Sequence, residues 1–119
     1  MDDFACLLDP DCNGVHELVS VPVGLKTSPH IDLTLCNGQA ALLAEIGVVL
    51  NFPEYYGGNW DALEECLNDM SWHSGPIVLW LSGVNEATEA NIATLREIFL
   101  DAAAAWHAEG RACSLVLTS

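Results

Sequence analysis

An α/β domain built on a small parallel sheet is what the sequence predicts, in the order β-α-α-β-α-β from residue 31 onward. Three observations predict it. Residues 77–81 (Ile-Val-Leu-Trp-Leu) and 113–117 (Cys-Ser-Leu-Val-Leu) are short, mostly apolar runs, the pattern of strands buried on both faces. Between them Ile92, Leu95, Phe99, Ala102 and Trp106 recur at helical spacing along one stripe. Upstream, Leu42, Leu43, Ile46 and Leu50 repeat the same period within residues 39–50.

The elements follow in order. Residues 1–30 read as an N-terminal extension with turn signals at Asp9-Pro10-Asp11 and Asn13-Gly14, room for a short extra edge strand between Val15 and Val21, and a linker at Thr27-Ser28-Pro29. Residues 31–119 read as the domain proper. Ile31, Leu33 and Leu35 alternate with Asp32 and Thr34, which predicts a first strand ended by Asn37-Gly38. The helix over residues 39–50 is expected to stop at Pro53, because the residue before a proline is pushed out of the helical region. Tyr55-Tyr56-Gly57-Gly58 is then a loop, and Asn59 is placed to cap the next helix, residues 60–70, by accepting an orphan amide of its first turn. Gly75-Pro76 sets off the second strand. Gly110 ends the long helix before the last one.

The chain has 119 residues, enough for one domain with a real core, and 51% of them are hydrophobic. Its charge is lopsided: 17 Asp and Glu stand against 3 Lys and Arg, a formal net charge of −14. Such a surface is repelled by nucleic acid and by anionic membranes, and attracts a basic partner. The five cysteines, Cys6, Cys12, Cys36, Cys66 and Cys113, include no CxxC pair, so free thiols in a reducing compartment are expected. The opening Met-Asp-Asp-Phe lacks the positive start of a signal peptide, and no apolar run reaches the ~18 residues that cross a bilayer. The expected location is the cytoplasm.

Residues 53–72 carry the functional argument. On a helix, Trp60, Leu63, Leu67 and Met70 form a core stripe at steps of three, four and three. Asp61, Glu65 and Asp69 fall at steps of four on the other side, flanked by Glu64 and Asn68. Successive members rise about 6 Å along the axis, so the carboxylates form a ladder. Like charges four apart cost an isolated helix a few tenths of a kcal/mol each. The helix dipole favours Asp61 in the first turn and disfavours Asp69 near the last. A merely solvated helix can display such a face; the Tyr-Tyr-Gly-Gly loop beside it adds aromatic surface of the kind used at protein interfaces, with one of the two tyrosines expected to pack inward.

Pro53 through Leu67, with Tyr-Tyr-Gly, Asn59, Asp61-Ala62-Leu63 and Cys66-Leu67, strongly resembles the signature of the barstar family, bacterial inhibitors of extracellular ribonucleases. The resemblance extends from about Ile31 to the C-terminus, including Ala108-Glu109-Gly110. It implies a three-stranded parallel sheet packed against helices, with the acidic helix and the loop before it inserted into the active site of a basic ribonuclease. Tyr55, Asp61, Glu65 and Asp101 carry over from the family, and with their neighbours the expected partner-binding set is Tyr55, Gly57, Asn59, Asp61, Glu64, Glu65, Asn68, Asp69 and Asp101. Glu65 takes the place of the family's central interface aspartate, at the substrate phosphate site. Asp101 matches an outlying interface acid, with Ala105 as the alternative alignment. Glu64 replaces an interface tryptophan of the family, and Asn68-Asp69-Met70, with Trp72 beyond, replaces a Thr-Gly-Trp stretch.

The chemistry stands apart from the resemblance. A ribonuclease cleft concentrates cations to hold phosphate, and a ladder of carboxylates on a rigid helix can take those positions with charge-assisted hydrogen bonds. The expected partner is a basic secreted ribonuclease, bound one to one by a monomer in an antitoxin or immunity role. A related delivered toxin, a deaminase or DNase, is the alternative, because its cleft is basic too. Catalysis is not expected: Glu64 and Glu65 are neighbours on one convex helix, and His16, His30, His73 and His107 are scattered. Asp61, Glu65 and Asp69 alone offer too few converging oxygens for a divalent cation, so neither metal nor cofactor is expected.

Overall fold

The computed structural model describes residues 4–54, 56–70 and 73–119. Its centre is a four-stranded, wholly parallel sheet of β1 (Gly14–Glu17), β2 (His30–Asp32), β3 (Ile77–Ser82) and β4 (Cys113–Leu117), in the spatial order β1-β4-β3-β2. The helices are α1 (Phe4–Leu7), α2 (Gln39–Val49), α3 (Trp60–Asp69) and α4 (Glu89–Ala108). The order from β2 to β4 is the predicted β-α-α-β-α-β.

The apolar runs of β3 and β4 have a direct structural meaning. Side chains alternate across a strand. Ile77, Leu79, Leu81, Cys113, Leu115 and Leu117 therefore share one face and join α2, α3 and α4 in the main core. Val78 and Val116 point the other way, into a second cluster with Leu7 and Leu25, against which Leu18, Val21 and Trp80 pack. The N-terminal segment thus covers the face of the sheet that the long helices leave open. It also supplies a fourth strand at the sheet edge, in the segment expected to have room for one: β1 pairs with β4 along Gly14–Glu17, and Leu18 N–H continues the pairing by donating to Leu117 O. Asn13 ties the segment down. Its Nδ2 donates to Ala103 O and Arg111 O, and its Oδ1 accepts from Cys113 N–H.

Three expectations need correction. The first strand stops at Asp32 and does not reach Leu35, because the Asp32 carboxylate accepts from both Thr34 N–H (3.0 Å) and Thr34 Oγ1 (2.6 Å). That local competitor for the backbone folds Leu33–Leu35 into a 3-10 turn. The same two bonds, the hydroxyl's first, hold the Asp32 carboxyl below its usual pKa. Next, α2 ends before proline can act: Asn51 adopts the left-handed conformation (φ 56°), and Phe52 N–H donates to Gly47 O and Asn51 N–H to Val48 O, a Schellman termination. Finally, not all the cysteines are free. Cys6 and Cys12 are joined in a disulfide that clips α1 to the following turn, while Cys36, Cys66 and Cys113 are free thiols.

Gly110 ends α4 as expected. It sits at φ 71°, donates to His107 O, and is followed by Arg111 N–H donating to Trp106 O. Among the described residues no helix is long and apolar enough to cross a membrane.

Candidate functional site

α3 is held from within. Asn59 caps its start, Oδ1 accepting from Ala62 N–H at 2.8 Å. Leu63, Leu67 and Met70 are fully buried, and so is Cys66, which the predicted stripe left out. Trp60, the first member of that stripe, is only half-buried: it opens the helix and packs against the edge of the core. At the far end Met70 takes the left-handed conformation (φ 42°) and its N–H donates to Cys66 O. The orphan carbonyl of Leu67 accepts the indole N–H of Trp106 on α4 at 2.8 Å. The Arg111 guanidinium lies 4.0 Å over that indole ring and also donates to His73 O.

With the inner face fixed, the outer face is determined. Asp61, Glu64, Glu65, Asn68 and Asp69 are all exposed and line one shallow, open depression along α3. The five include four carboxylates and no cation. Two of the chain's cations are engaged elsewhere: Arg96 reaches Glu17 of the N-terminal segment at 2.9 Å, and Arg111 lies on Trp106. The acidic face also acts inward. The Cys66 thiol is pushed above its ordinary pKa by burial first, then by the charges of Asp69 and Glu65.

The loop before α3 is anchored by Tyr56, the tyrosine that packs inward. Its hydroxyl donates to Leu43 O at 2.8 Å, its ring meets Phe52 edge-on with centroids 4.8 Å apart, and burial raises its pKa to about 12. Gly57 and Asn59 are exposed at the head of α3. Tyr55 and Trp72 lie outside the described residues. Asp101 is exposed on α4 and is not among the side chains lining the depression; Ala105, one turn on, is exposed as well. Among the described residues no group of three or more His, Cys, Asp or Glu is placed to hold a metal ion.

The family model for barstar, the barnase inhibitor, matches residues 27–118. The chain belongs to the barstar family. The match takes in α2, α3, α4 and three of the four strands; β1 and the disulfide lie before it. No curated protein matches the chain. The family is one of inhibitors of a ribonuclease, which supports a protein partner of that kind.

Proposed function

We propose that this protein inhibits a basic ribonuclease by seating the outer face of α3 in its active-site cleft, where Asp61, Glu65 and Asp69, with Glu64 beside them, stand in for substrate phosphates. The observation that supports this most is the sorting of one ten-residue helix into a buried apolar edge and an exposed edge of four carboxylates. A helix locked on one side offers its charges in a fixed array, so little ordering entropy is lost on binding. Charge complementarity then accelerates encounter and rejects acidic partners. Glu65, in the middle of the ladder, takes the central position, with Asp61 next. Gly57, Asn59 and Asn68 border the contact, Tyr55 adds its ring from the loop, and Asp101 adds an outlying acid from α4.

Protection of the producing cell calls for one inhibitor per toxin in the cytoplasm, before the toxin meets RNA. The Cys6–Cys12 bond lies before residues 27–118, the span that matches the family. Calorimetric titration against a panel of basic bacterial ribonucleases, with a basic deaminase and a DNase as comparators, tests the reading. One ribonuclease should bind at one to one, less tightly as salt rises. Binding to the comparators alone would transfer the function to another toxin class.

A further inference from the structure

Gly47 lies in the last turn of α2, at a helical position where glycine has a lower propensity than alanine. The geometry around it supplies a reason. A Cβ built there would lie 2.7 Å from Tyr56 Cε2 and 2.8 Å from Cδ2, closer than real side chains approach. The ring has little freedom to retreat, because its hydroxyl is bonded to Leu43 O one turn back on the same helix, and the Phe52 ring packs edge-on against it. Gly47 O also accepts Phe52 N–H at 2.8 Å, the bond that ends α2 and sets the loop's departure. Tyr56 N–H in turn donates to Pro53 O. Three residues after Tyr56 comes Asn59, the cap of α3.

We infer that Gly47 is a positioning residue for the binding face: its bare Cα forms the seat for the Cδ2–Cε2 edge of the Tyr56 ring, and that seat fixes the loop and the start of α3 for the partner. The inference rests on the proposed inhibitory reading but has a readout that does not need it. Gly47→Ala improves intrinsic helix propensity while filling the seat, so it separates helix stability from loop placement. Two measurements on the full chain decide the matter. Hydrogen exchange on the free protein should show the amides of residues 56–63 exchanging about tenfold faster in Gly47→Ala, a displaced ring's cost expressed as a rate, with β3 and β4 unchanged. Affinity for the ribonuclease that binds wild type in the panel should fall about tenfold as well. Tyr56→Phe keeps the ring in its seat and loses only the hydroxyl bond, so it should move the same amides by less.

Unchanged exchange over residues 56–63 overturns the inference, and so does acceleration spread equally through β3 and β4, which would make Gly47 a residue of general stability. If no ribonuclease binds wild type, the inhibitory reading fails, while the exchange experiment still decides whether Gly47 seats the loop.

Discussion

The two edges of α3 share one backbone and are built for opposite ends. The inner edge, Leu63, Cys66, Leu67 and Met70, is sealed from water and meets α4 through the Trp106 indole. The outer edge, Asp61, Glu64, Glu65, Asn68 and Asp69, contributes four carboxylates and no buried residue. α4 makes a useful contrast, because Arg96 and His107 on its surface reach Glu17 and Asp11 of the N-terminal segment and so tie the chain to itself. The outer edge of α3 mixes no cation among its acids. A helix that gives one edge wholly to stability frees the other for recognition, since charges there can be arranged for a partner without loosening the fold.

The comparison can be broken by substitutions on either edge. Leu67→Ala should have the largest effect, lowering stability by about 2–5 kcal/mol in chemical denaturation, since the side chain is fully buried beneath the helix. A loss below 1 kcal/mol would show that α3 is not held from within. Trp60→Ala should cost less, about 1–3 kcal/mol, because the ring is half-buried and part of its surface already faces water. A loss as large as that of Leu67→Ala would place Trp60 in the core stripe after all. The smallest effect links the two edges. Glu65→Gln with Asp69→Asn should bring the Cys66 thiol partway back toward its ordinary pKa, leaving the burial contribution in place. The alkylation rate of Cys66 as a function of pH checks it, in a background where Cys36 and Cys113 are replaced; an unmoved titration would mean the acidic edge exerts no field inward. The sign follows from the raised pKa: Cys66 stays protonated in the folded state above the pH at which it ionises in the unfolded chain, so its stabilising contribution fades as pH rises through the folded value.

Much of this arrangement was legible in the sequence, for physical reasons that also explain the gaps. β3, β4 and α4 declared themselves because each buries a long apolar surface, and burial on that scale leaves a pattern that local chemistry cannot disguise. The two faces of α3 follow from spacing, except that Cys66 joins the buried edge and Trp60 only partly does. Where one polar side chain decides the backbone, the pattern misled: Ile31, Leu33 and Leu35 alternate like a strand, yet the Asp32 carboxylate captures Thr34 and turns the chain. The stop of α2 was assigned to Pro53, although Asn51 ends it two residues earlier, since a left-handed asparagine carries no apolar signal. β1 overlaps the expected short edge strand but is only four residues long with a mixed burial pattern, too brief to fix its bounds, and beside its pairing with β4 it is held by Asn13 bonds to residues some ninety to a hundred positions away. The Cys6–Cys12 pairing depends on the turn between them, which the spacing did not reveal. For the site, the ladder of Asp61, Glu65 and Asp69 is readable from spacing and lies exposed along α3, whereas the contact between Gly47 and Tyr56 shows only in the folded chain, because a lone glycine in the last turn of a helix does not announce what lies against it.

On the proposed reading, the outer edge of α3 binds and does not stabilise. This is tested most directly by Glu65→Ala, with affinity for the cognate ribonuclease and thermal stability measured on the same preparation. Binding should weaken by at least about 2 kcal/mol, as for a residue at the centre of an interface, with stability within about 0.5 kcal/mol of wild type. Undiminished affinity, or a drop in stability matching the drop in binding, would contradict it.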